Sequence, residues 1–304
     1  MTMEDFHVTI LGNGSAVPTA YQHPTSQLLQ YRNQRFLIDC GEGTQIQMIR
    51  YKLSVRKINR IFISHLHGDH YFGLVGLLST LHLYGHKKAI HLYAPGALKS
   101  LLDLQFQLSD TRLRFDLVFH PLPEQGLIYE DKNLTVHTFP LNHRIETHGF
   151  VFREKSRDRK LSKTFVKNFQ PGIEQMQQIK KGADFLTAEG NLLKNSDITL
   201  DPPAPRGYAY CSDTAYDESI IPHIHGVDVL YHEATFDDEM AHVAEEKYHA
   251  TARQAAQIAR KAKVKKLLLG HFSARFKDRR SLHTQAREVF ENSDLTREGE
   301  RYAI

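Results

Sequence analysis

The chain reads as an α/β protein with mixed sheets, and three observations lead there. Short β-type apolar runs alternate along its whole length with stretches whose apolar residues recur at helical spacing. No self-similarity at a period of roughly 20–50 residues points to a solenoid or propeller. At 304 residues the chain is long enough for a sizeable core in one or two domains.

The elements follow in order. Residues 6–11, 27–31 and 35–38 read as strands, with Asn33-Gln34 as a hairpin turn. A helical pattern begins at 43–52, with Ile46, Ile49 and Leu53 at helical spacing. A buried strand over 60–64 carries Ile61-Phe62-Ile63, and 72–83 reads as the next helix. Further strands are expected at 90–94, 117–120, 134–139 and 150–153. Composition then shifts towards Lys, Gln, Gly, Asp and Pro over 155–205, with Gln170-Pro171-Gly172 and Asp201-Pro202-Pro203-Ala204-Pro205 as breakers and a short helix at 173–179. The alternation resumes with strands at 207–211, 227–232 and 266–269 and helices at 251–263 and 280–292. We therefore expect one domain over 1–304 with an insertion at 155–205.

Composition narrows the setting. Two cysteines, Cys40 and Cys211, imply no disulfide framework and suit a reducing cytoplasm. Met1-Thr2-Met3-Glu4-Asp5 is acidic and lacks the apolar core of a signal peptide. The longest mostly apolar stretch, 71–83, is short for a membrane span and carries Ser79, Thr80 and His82, so no membrane association is expected. The formal net charge of +4 says little, but residues 153–167 hold far more cations than anions, and Lys180-Lys181 follow. Alone, such a run is a solvated face; beside phosphodiester chemistry it is a phosphate-binding surface.

The chemistry concentrates in Ser64-His65-Leu66-His67-Gly68-Asp69-His70, directly after the buried run. Extended residues at i and i+2 share a face, so His65 and His67 can grip one cation. Gly68 then lets the chain turn, and Asp69 and His70 can hold a second. One loop cannot complete such a site. His143, Asp213 and His271 each follow an apolar run, which gathers donors along one edge of the sheets. Taken singly each has an alternative as a cap or core group; the shared placement is the argument. Paired cations lower the pKa of water and polarise a phosphoryl oxygen. Expelling an alkoxide calls for an acid, for which His249 is the candidate, with Glu233 or His232 to orient it.

Leu11-Gly12-Asn13-Gly14-Ser15, Asp39-Cys40-Gly41-Glu42-Gly43-Thr44, His65 to His70, Cys211-Ser212-Asp213-Thr214, His232-Glu233-Ala234-Thr235, His249-Ala250-Thr251-Ala252 and Gly270-His271-Phe272-Ser273 together resemble the ribonuclease Z family, the tRNA 3′-processing branch of the metallo-β-lactamase superfamily. The resemblance implies a four-layer αββα sandwich with an inserted flexible arm that reaches the tRNA body. It implies two Zn2+ per subunit, other divalent ions being acceptable: the first on His65, His67 and His143, the second on Asp69, His70 and His271, with Asp213 bridging. Asp69 would also serve as general base. Implied as well are homodimers, precursor tRNA as partner, and cleavage after the discriminator base to leave a tRNA 3′-hydroxyl and a trailer 5′-phosphate. Ser15, Thr19, Thr44, Arg275, Lys180 and Lys181 are candidate RNA contacts. The family's arm motif of glycine and proline survives only as Pro171-Gly172, with Lys180-Lys181-Gly182 downstream. Two other readings stand beside this one: a small-molecule metallo-hydrolase for a lactone, thioester or cyclic nucleotide, and a non-catalytic RNA-binding scaffold.

Overall fold

A computed structural model describes residues 6–304; the acidic segment 1–5 read above lies outside them. The chain divides into two units. One holds the described residues up to Tyr129 together with Val136–Phe152 and Gly207–Ile304; the other holds Glu130–Thr135 and Arg153–Arg206.

The first unit is built from two seven-stranded sheets. Strands β1 (Phe6–Gly12), β2 (Ser26–Tyr31) and β3 (Gln34–Cys40) form an antiparallel meander. Then β4 (Arg60–Phe62), β5 (Ile90–Ala94) and β6 (Leu117–Pro121) join in parallel. Parallel neighbours need crossovers. Helices α1 (Thr44–Arg50), α2 (Gly68–Tyr71), α3 (Gly73–Leu83) and α4 (Ala97–Leu108) lie in those connections. The second sheet starts with β7 (Gly126–Glu130), β8 (Leu134–Pro140) and β9 (His148–Glu154). After the second unit the chain returns in β14 (Gly207–Cys211), β15 (Val229–Glu233), β16 (Lys266–Gly270) and β17 (Ser293–Leu295), all parallel. Its crossovers carry α8 (Ile221–Ile224), α9 (Ala241–Glu246), α10 (Ala252–Lys261) and α11 (Arg280–Val289), and β18 (Arg301–Ala303) closes the first sheet beside β1.

Aromatic side chains fill the space between the sheets. Phe62 meets Phe150 and Phe152 edge-on, each with ring centroids 5.5 Å apart, and Phe36 meets Phe152 at 5.6 Å. Such contacts add about 0.5–1.5 kcal/mol apiece beyond area burial. The outer faces pack on helices. Leu37, Ile61 and Leu92 meet Leu74, Leu77 and Leu81 of α3 on one side, while Leu230, Leu267 and Leu269 meet α10 and α11 on the other. Four of the buried residues of α10 are alanines, which let it lie close against its sheet. The layers are thus helix, sheet, sheet, helix.

Several boundaries depart from the sequence reading. The hairpin turn is Arg32-Asn33, one residue early, with Arg32 at φ 53° and Gln34 already in β3. Helix α4 escaped notice because Leu101, Leu104 and Leu108 are exposed while Leu98 and Leu102 are buried, which blurs the apolar stripe.

The second unit has its own small core of Phe165, Ile179, Phe185 and Ile198. Strand β10 (Lys160–Leu161) pairs with β13 (Thr199–Leu200), and β11 (Phe185–Leu186) with β12 (Leu192–Leu193). Helices α5 (Lys163–Phe169), α6 (Ile173–Lys180) and α7 (Asn195–Ile198) complete it. The Asn195 side-chain amide donates to the carbonyls of Ile179 and Ala183 at 2.6 and 2.7 Å. At its base the Glu154 carboxylate accepts from the Arg206 amide and guanidinium and from Arg157, all at 3.0 Å. Burial opposes ionisation there, but the Arg206 hydrogen bonds prevail and hold the pKa at about 2, against an ordinary 4.5. A folded pKa below the free value stabilises fully above the free pKa and is lost as pH falls through the folded one. Protection of the Arg206 amide from hydrogen exchange, corrected for the intrinsic pH dependence, should therefore fall between pH 4.5 and about 2. Glu154→Gln should remove that step.

Candidate metal centre

The donors sit where parallel strands end, the edge at which α/β sheets gather ligands. His65 to His70 follow β4, Asp39 is near the end of β3, Asp213 follows β14, Glu233 ends β15 and His271 follows β16. His143 lies in the connection from β8 to β9. Buried Ile61, Phe62 and Ile63 fix the register of this edge, and His65 is itself buried. Gly68 does not supply a turn, as its sequence context suggests, because it opens helix α2. Its missing side chain instead leaves room for a neighbour: a Cβ there would stand 2.2 Å from Cε2 of the exposed Phe72 ring, which would have to shift.

Two cages result. In the first, His67 Nδ1 lies 3.1 Å from both His65 Nε2 and His143 Nε2, and Asp213 Oδ2 lies 3.5 and 3.7 Å from those two Nε2 atoms. In the second, Asp213 Oδ1 lies 3.2 Å from His70 Nε2 and 3.1 Å from His271 Nε2, which are 3.4 Å apart. Asp69 Oδ2 closes that cage at 3.6 and 3.5 Å from the same nitrogens. Ligands held tetrahedrally at roughly 2.0–2.1 Å from an ion stand about 3.3 Å apart, which is the spacing seen. Asp213 offers one oxygen to each cage.

The hydrogen bonds behind the cages test whether cations belong there. His143 Nδ1 donates to the Tyr248 carbonyl at 3.0 Å, and His70 Nδ1 to Asp39 Oδ2 at 2.7 Å. Ser64 Oγ donates to Asp39 Oδ2 at 2.9 Å and so accepts from His65 Nδ1 at 3.0 Å. Thr235 Oγ1 donates to Glu233 Oε2 at 2.6 Å and accepts from His271 Nδ1 at 2.9 Å. When such a ring carries a single proton, these bonds place it on the outer nitrogen, and the Nε2 lone pair faces the centre. Burial pushes the His65 pKa down to about 4, which keeps the ring neutral. At His70 burial also opposes charge, yet Asp213, Asp69 and Asp39 raise its pKa well above the ordinary value. Convergent lone pairs among carboxylates that call for positive charge fit bound cations. Asp39 also accepts from the Ser64 amide at 2.7 Å and the Tyr210 hydroxyl at 2.6 Å, so the ligand loop is pinned to both sheets.

Beside the two cages, with its ring 5.3 Å from that of His143 and 5.5 Å from that of His271, His249 places Nδ1 2.9 Å from Glu233 Oε1. Glu233 is fully buried and also accepts from the amides of Thr214 at 2.7 Å and Ala250 at 3.1 Å. Burial opposes charge on His249, but Glu233 overrides it and lifts the pKa to about 9. His232 is on the other face of β15, its Nδ1 donating to the Glu233 carbonyl at 2.8 Å, so Glu233 alone of the two partners His249. Thr251 caps α10 in a capping box with Gln254, which fixes the turn that presents His249. A cavity of about 630 Å³ opens over the site, and Ser15, Phe72, Arg144, Lys247, Tyr248 and His249 are among its lining residues.

The proposed RNA contacts separate. Ser15 lines the cavity. Thr19 is exposed, its Oγ1 accepting from the Tyr21 amide, and Arg275 is exposed after His271; neither lines the cavity. Thr44 needs correction: it is buried, and its hydroxyl donates to the Gly41 carbonyl at 2.7 Å, so it serves the start of α1. Lys180 and Lys181 are exposed in the second unit. The glycine-bearing loop at Gly12-Asn13-Gly14 leads to a different contact, the Ala16 amide, which donates to Asp69 Oδ2 at 2.8 Å. Asp39, Ser64, Thr235, Arg144 and Phe72 went unassigned in the sequence reading.

Ribonuclease Z of Parabacteroides distasonis is 44% identical over 306 aligned residues, covering 99% of this chain and 100% of the relative. That of Bacteroides fragilis is 43% identical, covering 97% and 98%. The chain belongs to the ribonuclease Z family. Over residues 6–186 it also belongs to the family described as anti-Pycsar protein Apyc1, a span that stops before Asp213, Glu233, His249 and His271. The crystal structure of human tRNase Z, short form, superposes with a TM-score of 0.72 at 26% identity, covering 98% of this chain and 99% of that one. The metallo-β-lactamase fold protein YhfI from Bacillus subtilis superposes at 0.70 with 17% identity, covering 98% of both chains, and shows the same fold. Within this ribonuclease Z scaffold Asp39 fixes the His70 tautomer, so Asp39→Asn should weaken divalent-metal affinity about 10–100-fold. Chelator competition checks this, and unchanged affinity contradicts it.

Proposed function

We propose that the protein is a zinc-dependent endoribonuclease that removes the 3′ trailer from precursor tRNA. It cuts after the discriminator base and leaves a tRNA 3′-hydroxyl and a trailer 5′-phosphate. The observation that carries this reading is the His249–Glu233 pair standing beside two cages that share Asp213, in a chain of the ribonuclease Z family.

His65, His67, His143 and Asp213 would hold one ion, and Asp69, His70, His271 and Asp213 the other. Two such ions supply Lewis-acid polarisation of the phosphodiester and bring the ionisation of water towards neutral pH. Asp69 is held by the Ala16 amide, and His70 and His271 keep its pKa low against the effect of burial. A carboxylate so placed is a weak base and acts by accepting a hydrogen bond that orients the attacking water. His249, charged and aimed by Glu233, gives its proton to the departing 3′-oxygen. Glu233 is a positioning residue, since its oxygens are taken by Thr214, Ala250, Thr235 and His249.

The second unit is the arm in this reading. Lys160, Lys163, Lys167, Lys180 and Lys181 are exposed around its small core and suit the phosphates of a folded tRNA body, read by shape more than by base. We place the enzyme in the cytoplasm as a homodimer in which one subunit's arm serves the other's site.

Cleavage of 5′-end-labelled precursor tRNA tests the proposal. Wild type should give one product ending at the discriminator. Asp69→Ala should abolish it, and His249→Ala should slow it by about 10²–10⁴ while bound metal is retained. A ladder of shortening ends would point to an exonuclease, and no cleavage by the metal-loaded protein to a small-molecule hydrolase.

A further inference from the structure

The outer rim of the metal loop carries two side chains that the mechanism leaves unused. Phe72 is 63% exposed; one edge of its ring occupies the space that a side chain at position 68 would take, and the ring meets that of Tyr71 at 5.1 Å. It lines the same cavity as His67, Gly68 and Asp69. A large exposed aromatic that borders the cavity is a platform without its second layer. Next to it, Arg144 points Nη2 at His67 Nε2 from 3.3 Å. Among the described residues no carboxylate forms an ion pair with Arg144. His67 turns Nδ1 inward, unlike the other four rings, so with that lone pair engaged in the cage its single proton sits on Nε2. Guanidinium and imidazole are then both donors, and what satisfies them together is an acceptor oxygen from outside the protein.

We propose that Phe72 and Arg144 form a nucleotide subsite for the first residue of the trailer, the base stacking on Phe72 and its 5′-phosphate oxygen accepting from Arg144 and His67. This rests on the endoribonuclease reading above and gives that site a specific recognition element. Polarity follows from the acid. His249 stands over both cages, its ring 5.3 Å from that of His143 and 5.5 Å from that of His271, and the departing tRNA 3′-oxygen belongs beside it. His67 and Arg144 stand at the first cage, where the nucleotide that keeps the phosphate belongs. Arg144 also borders a second groove, shared with His143 and lined by Ile145 and Thr147, which gives the strand a way out past the rim.

The test uses metal-loaded wild type, Phe72→Ala, Phe72→Tyr, Arg144→Ala and Arg144→Lys, with fluorescence anisotropy of a 5′-phosphorylated RNA hexamer, its 5′-hydroxyl counterpart and mature tRNA lacking a trailer. Wild type should prefer the phosphorylated hexamer. Phe72→Ala should weaken both hexamers about tenfold, a loss that Phe72→Tyr restores. Arg144→Ala should erase the preference for the 5′-phosphate, with partial recovery in Arg144→Lys, and mature tRNA should bind all five proteins alike. The subsite is overturned by a wild type that shows no such preference, by alanine variants that bind the hexamers as wild type does, or by mature tRNA weakening as much as the hexamers. Precursor cleavage run in parallel separates the two readings. A wild type that cuts no precursor removes the function and the subsite together, whereas cleavage by a wild type whose variants bind unchanged removes the subsite alone.

Discussion

Everything in this molecule depends on holding the Asp213 carboxylate between imidazole nitrogens that have no proton to share with one another. Left alone, bare lone pairs little more than 3 Å apart repel, so the fold must hold them from behind. It does so through Asp39, Ser64, Thr235 and the Tyr248 carbonyl, each taking the outer proton of one ring. The backbone records the cost. Among non-glycine residues, Ala16, Asp39, Asp213, Tyr248 and His271 all lie in the left-handed region, with φ between 54° and 62°. Such conformations cost on the order of 1–3 kcal/mol each and persist where the surroundings over-determine them. All five touch or support the cages, whereas the other non-glycine residues in that region, Arg32, Lys52, Asp110, Gln170 and Lys263, lie in turns and helix ends elsewhere.

The same network couples the proposed proton donor to the second cage. Glu233 orients His249 with one oxygen and, through Thr235, orients His271 with the other. One buried carboxylate therefore sets both His249 and His271. Because β14, β15 and β16 are parallel neighbours in register, Asp213, Glu233 and His271 emerge side by side from consecutive strand ends. The sheet thereby delivers bridge, orienter and ligand within hydrogen-bond reach, and the helices behind it, α10 above all, keep those ends in line.

How much of this could be read from the sequence depends on distance along the chain. His65 to His70 were legible because their spacing is itself the geometry, and His143, Asp213 and His271 because each follows an apolar run. Asp39 was not, since its partner His70 lies 31 residues on and nothing local marks the carboxylate as its support. Gly68 was read as a turn because glycine is permissive, whereas its lack of a side chain makes room for Phe72 across one helical turn. The hydroxyls at Thr44 and Thr235 look alike in sequence; one donates to the Gly41 carbonyl ahead of α1 and the other accepts from His271 Nδ1. The strands were largely visible from their apolar runs. Helix α4, which exposes leucines, and the paired segments of the second unit, only two residues long, carry too little periodicity to be seen.

If two ions share Asp213, native mass spectrometry of the metal-loaded protein will count them. During zinc titration wild type should take up two ions per chain, and Asp213→Asn should weaken both together. One ion per chain, or a variant that loses one ion while the other keeps its affinity, would contradict it.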